Sequence, residues 1–169
     1  MNIFATSVCP VQSALWLDDK RLVKMILESA QILSTVVWRY KGNSNDRSVH
    51  SGLYKATHTG HPCILWSGRT RANFNWLVDH ALAMCVVYNS YSGKTHASQS
   101  VINQAKEFKS SVPKGGLQEF ANATPFKGYK FDHLDIHKKY QKFMIFKWSE
   151  LDKTSPKWTN RKQPEWYDV

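Results

Sequence analysis

Arg21, Lys24, Glu28 and Gln31 recur at the spacing of one helical stripe, and Glu28 is the only carboxylate on it. Seven residues carry an α-helix through almost two whole turns, so Arg21 and Glu28 point the same way while Leu22, Ile26, Ser29 and Leu33 take the neighbouring face. One acid among bases, close in sequence to the Met1 amino group, suits chemistry on an anion. An α-amino group as a class titrates well below a lysine ammonium, so part of it is neutral and nucleophilic near physiological pH without special burial. Lys24 and Glu28 also read as an ordinary i,i+4 surface pair, contributing about a few tenths of a kcal/mol.

Other residues invite chemistry less sharply. Thr57-His58-Thr59-Gly60-His61-Pro62 sets two histidines in a segment without regular structure. A metal site there lacks the fixed i,i+4 geometry of a helical pair and has no neighbouring acid or Cys pair to complete four ligands, so no metal is expected. The two histidines read either as satisfying backbone groups in an ordered loop or as touching a phosphate or sugar, with Lys55, Arg69 and Arg71 nearby. Cys63, beside Ile64, Leu65 and Trp66, reads as a buried apolar residue rather than a nucleophile. Gly93-Lys94-Thr95 imitates the end of a P-loop, but Tyr88 stands where the earlier glycine belongs and a helix precedes it, which excludes nucleotide hydrolysis on that motif. Lys94 and His96 then read as contacts to a phosphate backbone or as part of a helix end. Trp158, Trp166 and Tyr167 interleave with Lys153, Lys157, Arg161 and Lys162, which fits a docked tail with solvated charge, a surface for stacking and phosphate pairing, or both.

The elements that must position these groups are helical. Pro10 opens a helix expected to run to about Val37, apolar at Leu15, Leu22, Ile26, Leu33 and Val37. Residues 41–46 form a polar turn cluster, and 42–70 read as irregular, with loops and short helices. A second long helix spans about Arg71 to Tyr91, burying Phe74, Leu77, Val78, Ala81, Met84, Cys85 and Tyr88 and stopping at Ser92-Gly93. A third fits Ser98 to Lys109. Pro113-Lys-Gly-Gly and Pro125-Phe-Lys-Gly-Tyr mark loops, and a last helix is expected from about Asp132 to Glu150. No segment reads as a sheet, and no internal repeat is present.

Composition narrows the partner. With 23 Lys plus Arg against 13 Asp plus Glu, the net charge is +10, and 13% of the residues are aromatic. Cations beside rings suit phosphates and opened bases, so nucleic acid is the expected partner and a basic membrane-surface protein is disfavoured. Three cysteines at 9, 63 and 85, without CxxC spacing, fit neither a disulfide framework nor a zinc knuckle and suggest a reducing cytoplasm. No leader pattern and no membrane-length apolar run is seen, so a soluble, cytoplasmic protein is expected.

Three segments resemble the pyrimidine-dimer DNA glycosylase and AP-lyase family, the phage endonuclease V type of repair enzyme. The first is Leu17-Asp-Asp-Lys-Arg-Leu-Val23 with Glu28 seven residues after Arg21, where that family has Asp-Gln-His-Leu and a catalytic Glu at the same interval. Trp76-Leu77 through Tyr91-Ser-Gly93 is similar to the family's later long helix, and Pro164-Glu-Trp166-Tyr167 to its C-terminal Pro-Thr-Trp-Tyr. The first helix also resembles a wider group of phage proteins with an Asp-Lys-His/Arg, Lys-Met and Glu pattern. The resemblance implies Glu28 as the catalytic acid, Arg21 at the family's histidine position and the Trp166-Tyr167 pair near damaged DNA. Two positions depart from the family. Its nucleophile is the α-amine of a threonine exposed when the first methionine is removed, but Asn2 is too large for efficient removal, so the Met1 amine itself would serve or the lyase step is absent. Leu27 and Gln31 replace two of its substrate-contacting arginines.

The expectation is therefore a mainly α, single-domain monomer. Residues 1–150 form a helical catalytic and binding unit, and 151–169 a basic aromatic tail packed on it. Its activity is DNA N-glycosylase, extending to AP lyase, on damaged or modified pyrimidines in double-stranded DNA, without cofactor, in the cytoplasm of a host cell if phage-encoded. Met1, Asn2, Arg21 and Glu28 are the candidate catalytic residues. Lys24, Gln31, His58, His61, Arg69, Arg71, Lys94, His96, Trp166 and Tyr167 are the candidate substrate contacts. An N-glycosidic enzyme acting on a free or modified nucleotide, and a non-catalytic nucleic-acid-binding protein on the same scaffold, are the alternatives.

Overall fold

Asp18 starts a helix just after another has ended at Leu15. Its backbone is extended (φ −65°, ψ 158°), and its side chain accepts from the Arg21 amide at 3.4 Å, so the chain turns before it re-enters a helix. The single helix expected from Pro10 to Val37 is therefore two, α1 (Pro10–Leu15) and α2 (Asp19–Lys41). Leu15 and Leu22 keep a seven-residue interval across the break, which is why periodicity alone runs through it.

The computed structural model describes residues 1–42, 51–125, 133–152 and 155–167. The remaining helices are α3 (Pro62–Ser67), α4 (Arg71–Ser92), α5 (Gln99–Glu107) and α6 (Ile136–Phe146), with a 3-10 turn at Lys109–Ser111 and a π-helical turn at Lys147–Asp152. No strand occurs among the described residues, so the fold is mainly α. Most of the turn expected at 41–46, residues 126–129 of the later loop, the helix start expected at Asp132 and Lys153 of the tail lie outside the described residues.

Helix ends follow local chemistry. Thr70 caps α4 through the Asn73 amide, and Gly93 closes it in the left-handed region at φ +67°, a conformation that costs glycine least. Asp135 caps α6 by accepting from the amides of His137 and Lys138, and these hydrogen bonds hold its carboxyl below the usual carboxylate range. His61 caps α3, its Nδ1 accepting from the Cys63 amide at 3.1 Å.

α2 is the central element. Leu22, Met25, Ile26, Ala30, Ile32, Leu33, Val36 and Val37 are all buried, against α4 and α5 and, less extensively, α3. α1 lies along α4. Asn73, wholly buried, ties the next segment down by donating to Trp66 O and accepting from the Gln118 amide. That segment runs past Phe120 to Ala123, where the Tyr140 hydroxyl on α6 donates to Ala121 O and accepts from the Ala123 amide. Residues 112–125 therefore bridge α4, α6 and the amino terminus.

Candidate active site

The amino terminus is hooked over α2 by the side chain of residue 2. Asn2 Oδ1 accepts from the amides of Ile3 and Phe4, both at 2.8 Å, and Asn2 Nδ2 donates to Ala123 O at 2.9 Å. Phe4 sits at φ +38°, a conformation costing a bulky residue about 1–2 kcal/mol, and its ring packs on Phe143 and Tyr140. The hook brings two backbone nitrogens to one carboxylate. The Asn2 amide donates to Glu28 Oε2 at 2.9 Å, and the Met1 amine lies 3.9 Å from the same oxygen. Glu28 Oε1 faces Lys24 Nζ at 3.6 Å.

These groups line an open cleft of about 310 Å³, shared with Lys20, Arg21, Lys147, Asp152, Phe143 and Ala123. Among the described residues, four basic side chains (Lys20, Arg21, Lys24, Lys147) meet two carboxylates (Glu28, Asp152) and leave the cleft lining net positive. Lys20, Lys147 and Asp152 do not belong to the set drawn from the sequence. Lys20 stood inside the motif, whereas Lys147 and Asp152 come from the π-helical turn, which residue spacing does not announce.

Arg21 is not on a free stripe. It is only 5% exposed; its guanidinium binds Asp18 Oδ1 at 3.1 Å and Asp152 Oδ2, and lies 5.9 Å from the Trp148 ring centroid. Trp148 Nε1 donates to the same Asp18 oxygen at 2.9 Å. The ionic partners of Glu28 are thus Lys24 and the Met1 amine, and Arg21 answers two other acids. Burial opposes ionisation of Asp152, but the hydrogen bond and charge of Arg21, then those of Lys20, outweigh it and hold its carboxyl below the usual range.

The other candidates stand elsewhere. Gln31 is half-buried further along α2. His58 is exposed at φ +48° with Nδ1 on the Thr57 hydroxyl. His61 does not line the cleft, yet burial first, then the N-terminal charge and His58, lower its pKa, with Glu28 opposing. Cys63 is buried beneath the same corner, and burial pushes its thiol up to about 12. Among the described residues no three His, Cys, Asp or Glu side chains gather to hold a metal ion.

Arg69 is exposed at a second cleft beside Trp66 and Phe120. Arg71 donates to Ser110 O and Val112 O and so fastens the loop after α5. Lys94 is exposed beyond α4, and His96 accepts from the Ser98 amide beside the Tyr88 ring. Trp166 stacks on Trp148 at 5.8 Å and meets Trp16 edge-on, while Tyr167 packs on Trp148 and Trp158. These tail rings back the indole that touches Arg21 and do not line the cleft itself.

The family model described as pyrimidine dimer DNA glycosylase matches residues 1–98. That span carries the hook, α1 to α4 and Glu28, and covers more than half of the 169 residues. No curated protein and no solved structure matches the chain. The family implies a nucleic-acid partner, and among the described residues no helix is long and apolar enough to cross a membrane. The chain belongs to the pyrimidine dimer DNA glycosylase family.

Proposed function

We propose that the chain is a DNA N-glycosylase that removes a damaged or modified pyrimidine from double-stranded DNA by attack of the Met1 amine on C1′, with Glu28 handling the protons. The observation that carries this reading is the convergence of the Met1 and Asn2 nitrogens on one Glu28 oxygen inside a net-positive cleft.

The neutral amine forms the N–C1′ bond as the glycosidic bond breaks. The departing pyrimidine keeps the bonding pair and picks up a proton, and the new ammonium gives its proton to Glu28. Glu28 also offsets positive charge that develops on the sugar. Opening of the sugar with a proton to its ring oxygen leaves an imine, and loss of a C2′ proton to Glu28 expels the 3′ phosphate in the lyase extension. Reaching C1′ in a duplex requires bending or flipping, at about a few kcal/mol, which cationic contacts to the backbone offset.

Borohydride trapping on labelled duplexes tests this, comparing native protein, Glu28→Gln and amino-terminally blocked protein, with intact mass defining the first residue. The expected result is an adduct on a lesion duplex that blocking abolishes and Glu28→Gln reduces about 10²–10⁴-fold. Base release without any adduct refutes the amine; no release from any duplex refutes the glycosylase. Leu27 and Gln31, where the family has arginines, favour a second reading in which a free modified nucleotide is cleaved, and short substrates separate the two.

A further inference from the structure

Lys147 differs from the other described cations on the cleft. Lys20 has Asp152, Arg21 has Asp18 and Asp152, and Lys24 and the Met1 amine share Glu28. Among the described residues no carboxylate lies within 4.0 Å of Lys147 Nζ, which instead sits 5.3 Å from the centroid of the Phe143 ring. The lysine is half-buried at the end of α6, where the π-helical turn begins, and it lines the same cleft as the Met1 amine and Glu28. Burial, then the charges of Arg21 and Lys24, lower its pKa, with Asp152 and Glu28 opposing. A lysine desolvated by burial and crowded by other cations, which together outweigh the preference of the Phe143 face for the ammonium, carries more neutral amine than a surface lysine, the condition under which lysines form imines with carbonyls.

We propose that Lys147 is a second, imine-forming amine, which takes the ring-opened aldehyde of a pre-formed abasic nucleotide, whereas the Met1 amine that displaces a base keeps C1′ as its own imine. The assignment rests on the glycosylase reading for its substrate. Neutral Lys147 adds to the C1′ aldehyde, and water leaves as C1′=N forms. Glu28 removes a C2′ proton, the C3′–O bond breaks with its pair on the departing 3′ phosphate, and water hydrolyses the imine to free the lysine. The two amines then overlap in part: base release and the elimination that follows it need the terminus, and at a pre-formed abasic site Lys147 supplies a route that does not. A charge holding a phosphate makes a different prediction, because Lys147→Arg would preserve it.

The experiment uses abasic duplex with borohydride, followed by peptide mapping, on native protein, amino-terminally blocked protein and Lys147→Arg in both forms. Blocked protein is expected to keep trapping the abasic duplex, with the adduct on Lys147, and Lys147→Arg in the blocked form to lose trapping entirely. Lys147→Arg with a free terminus is expected to shift the abasic-duplex adduct wholly to the terminus. Undiminished trapping by amino-terminally blocked Lys147→Arg, or an adduct of the native protein confined to the terminus, overturns the proposal.

A second arm does not depend on glycosylase activity. 2-Deoxyribose 5-phosphate with borohydride should label Lys147 ahead of the exposed Lys20 and Lys24. Such labelling in a protein that releases no base from any duplex upholds the amine and refutes only the glycosylase reading. Labelling of Lys147 no faster than of those two lysines overturns the amine itself.

Discussion

Two arginines answer acids at the start of α2, and their surroundings differ. Arg161, in the tail, donates to Leu15 O at 2.7 Å and Leu17 O at 2.5 Å and pairs with Asp19, which also accepts from the Thr159 amide and hydroxyl. The Asp19 amide donates to Lys157 O, and Trp158 Nε1 to Trp16 O, so the tail seam is closed by mutual partners. Arg21 is equally committed, but it belongs to a cleft where basic side chains outnumber carboxylates and Lys147 has no ionic partner among the described residues. The seam uses charge to hold two segments together, whereas the cleft keeps charge in excess and so has something left for an anion.

The largest stability effect is expected at the seam. Arg161→Ala leaves two carbonyls and Asp19 without their guanidinium, and denaturant unfolding should show a loss of about 2–4 kcal/mol. A double-mutant cycle with Asp19→Asn should return a coupling above about 1 kcal/mol. The salt dependence of duplex binding by the folded variant should stay near that of the native protein. A seam variant that is as stable as the native protein but binds DNA more weakly would reverse the comparison.

His80 lies in neither region and sets a pH limit on both. It is wholly buried, stacked on Trp76, with Nδ1 donating to Pro10 O. Burial lowers its pKa to about 4, although the carbonyls of Pro10 and Ile3 favour the charged form. The unfolded chain therefore binds a proton at higher pH than the native one. There is no penalty above the ordinary histidine value; stability falls as pH drops from about 6.5 to about 4, by about 3 kcal/mol in all. Asp152, whose folded pKa is depressed, adds a loss of the same sign at lower pH. Unfolding of native protein and His80→Phe, followed from pH 7 to 4, should show the variant with a shallower decline.

Next in size is Asn2→Ala, which strips two buried amides of their acceptor and Ala123 O of its donor. A loss of about 2 kcal/mol is expected in unfolding. Activity should fall further than stability accounts for, since a loosened hook no longer holds the Met1 amine beside Glu28 and small misplacements of reacting groups are costly. Equal turnover by folded Asn2→Ala and native protein would show that the hook only stabilises.

What residue spacing reveals and what it conceals follow the same division. α4 was legible because Phe74, Leu77, Val78, Ala81, Met84 and Cys85 alternate at helical period and Gly93 stops it. Glu28 was legible as the lone acid on a stripe. Arg21 was legible on the side of Glu28, but its burial was hidden because a 3.6-residue period assigns a face without knowing that Asp18, Asp152 and Trp148 will close over it. The break at Asp18 was hidden because an aspartate reads as a solvated helix residue until its cap is seen. Lys147 and Asp152 were invisible as site residues, since a π-helical turn alters which positions share a face and nothing in the residue types marks it.

The smallest expected effect bears on the pair where the two readings of α2 diverge. Lys24 is 70% exposed and lies 3.6 Å from Glu28 Oε1, so as a surface i,i+4 pair it contributes little. Lys24→Gln should change unfolding stability by less than about 0.5 kcal/mol. If the cleft receives a DNA backbone, however, the same substitution removes one cation from its rim, and the slope of log affinity against log salt should shrink by about one. A stability-neutral variant with a reduced salt slope places Lys24 on the binding side of the comparison. An unchanged slope would leave the pair an ordinary surface contact and restrict the cleft's surplus charge to Lys147 and the amino terminus.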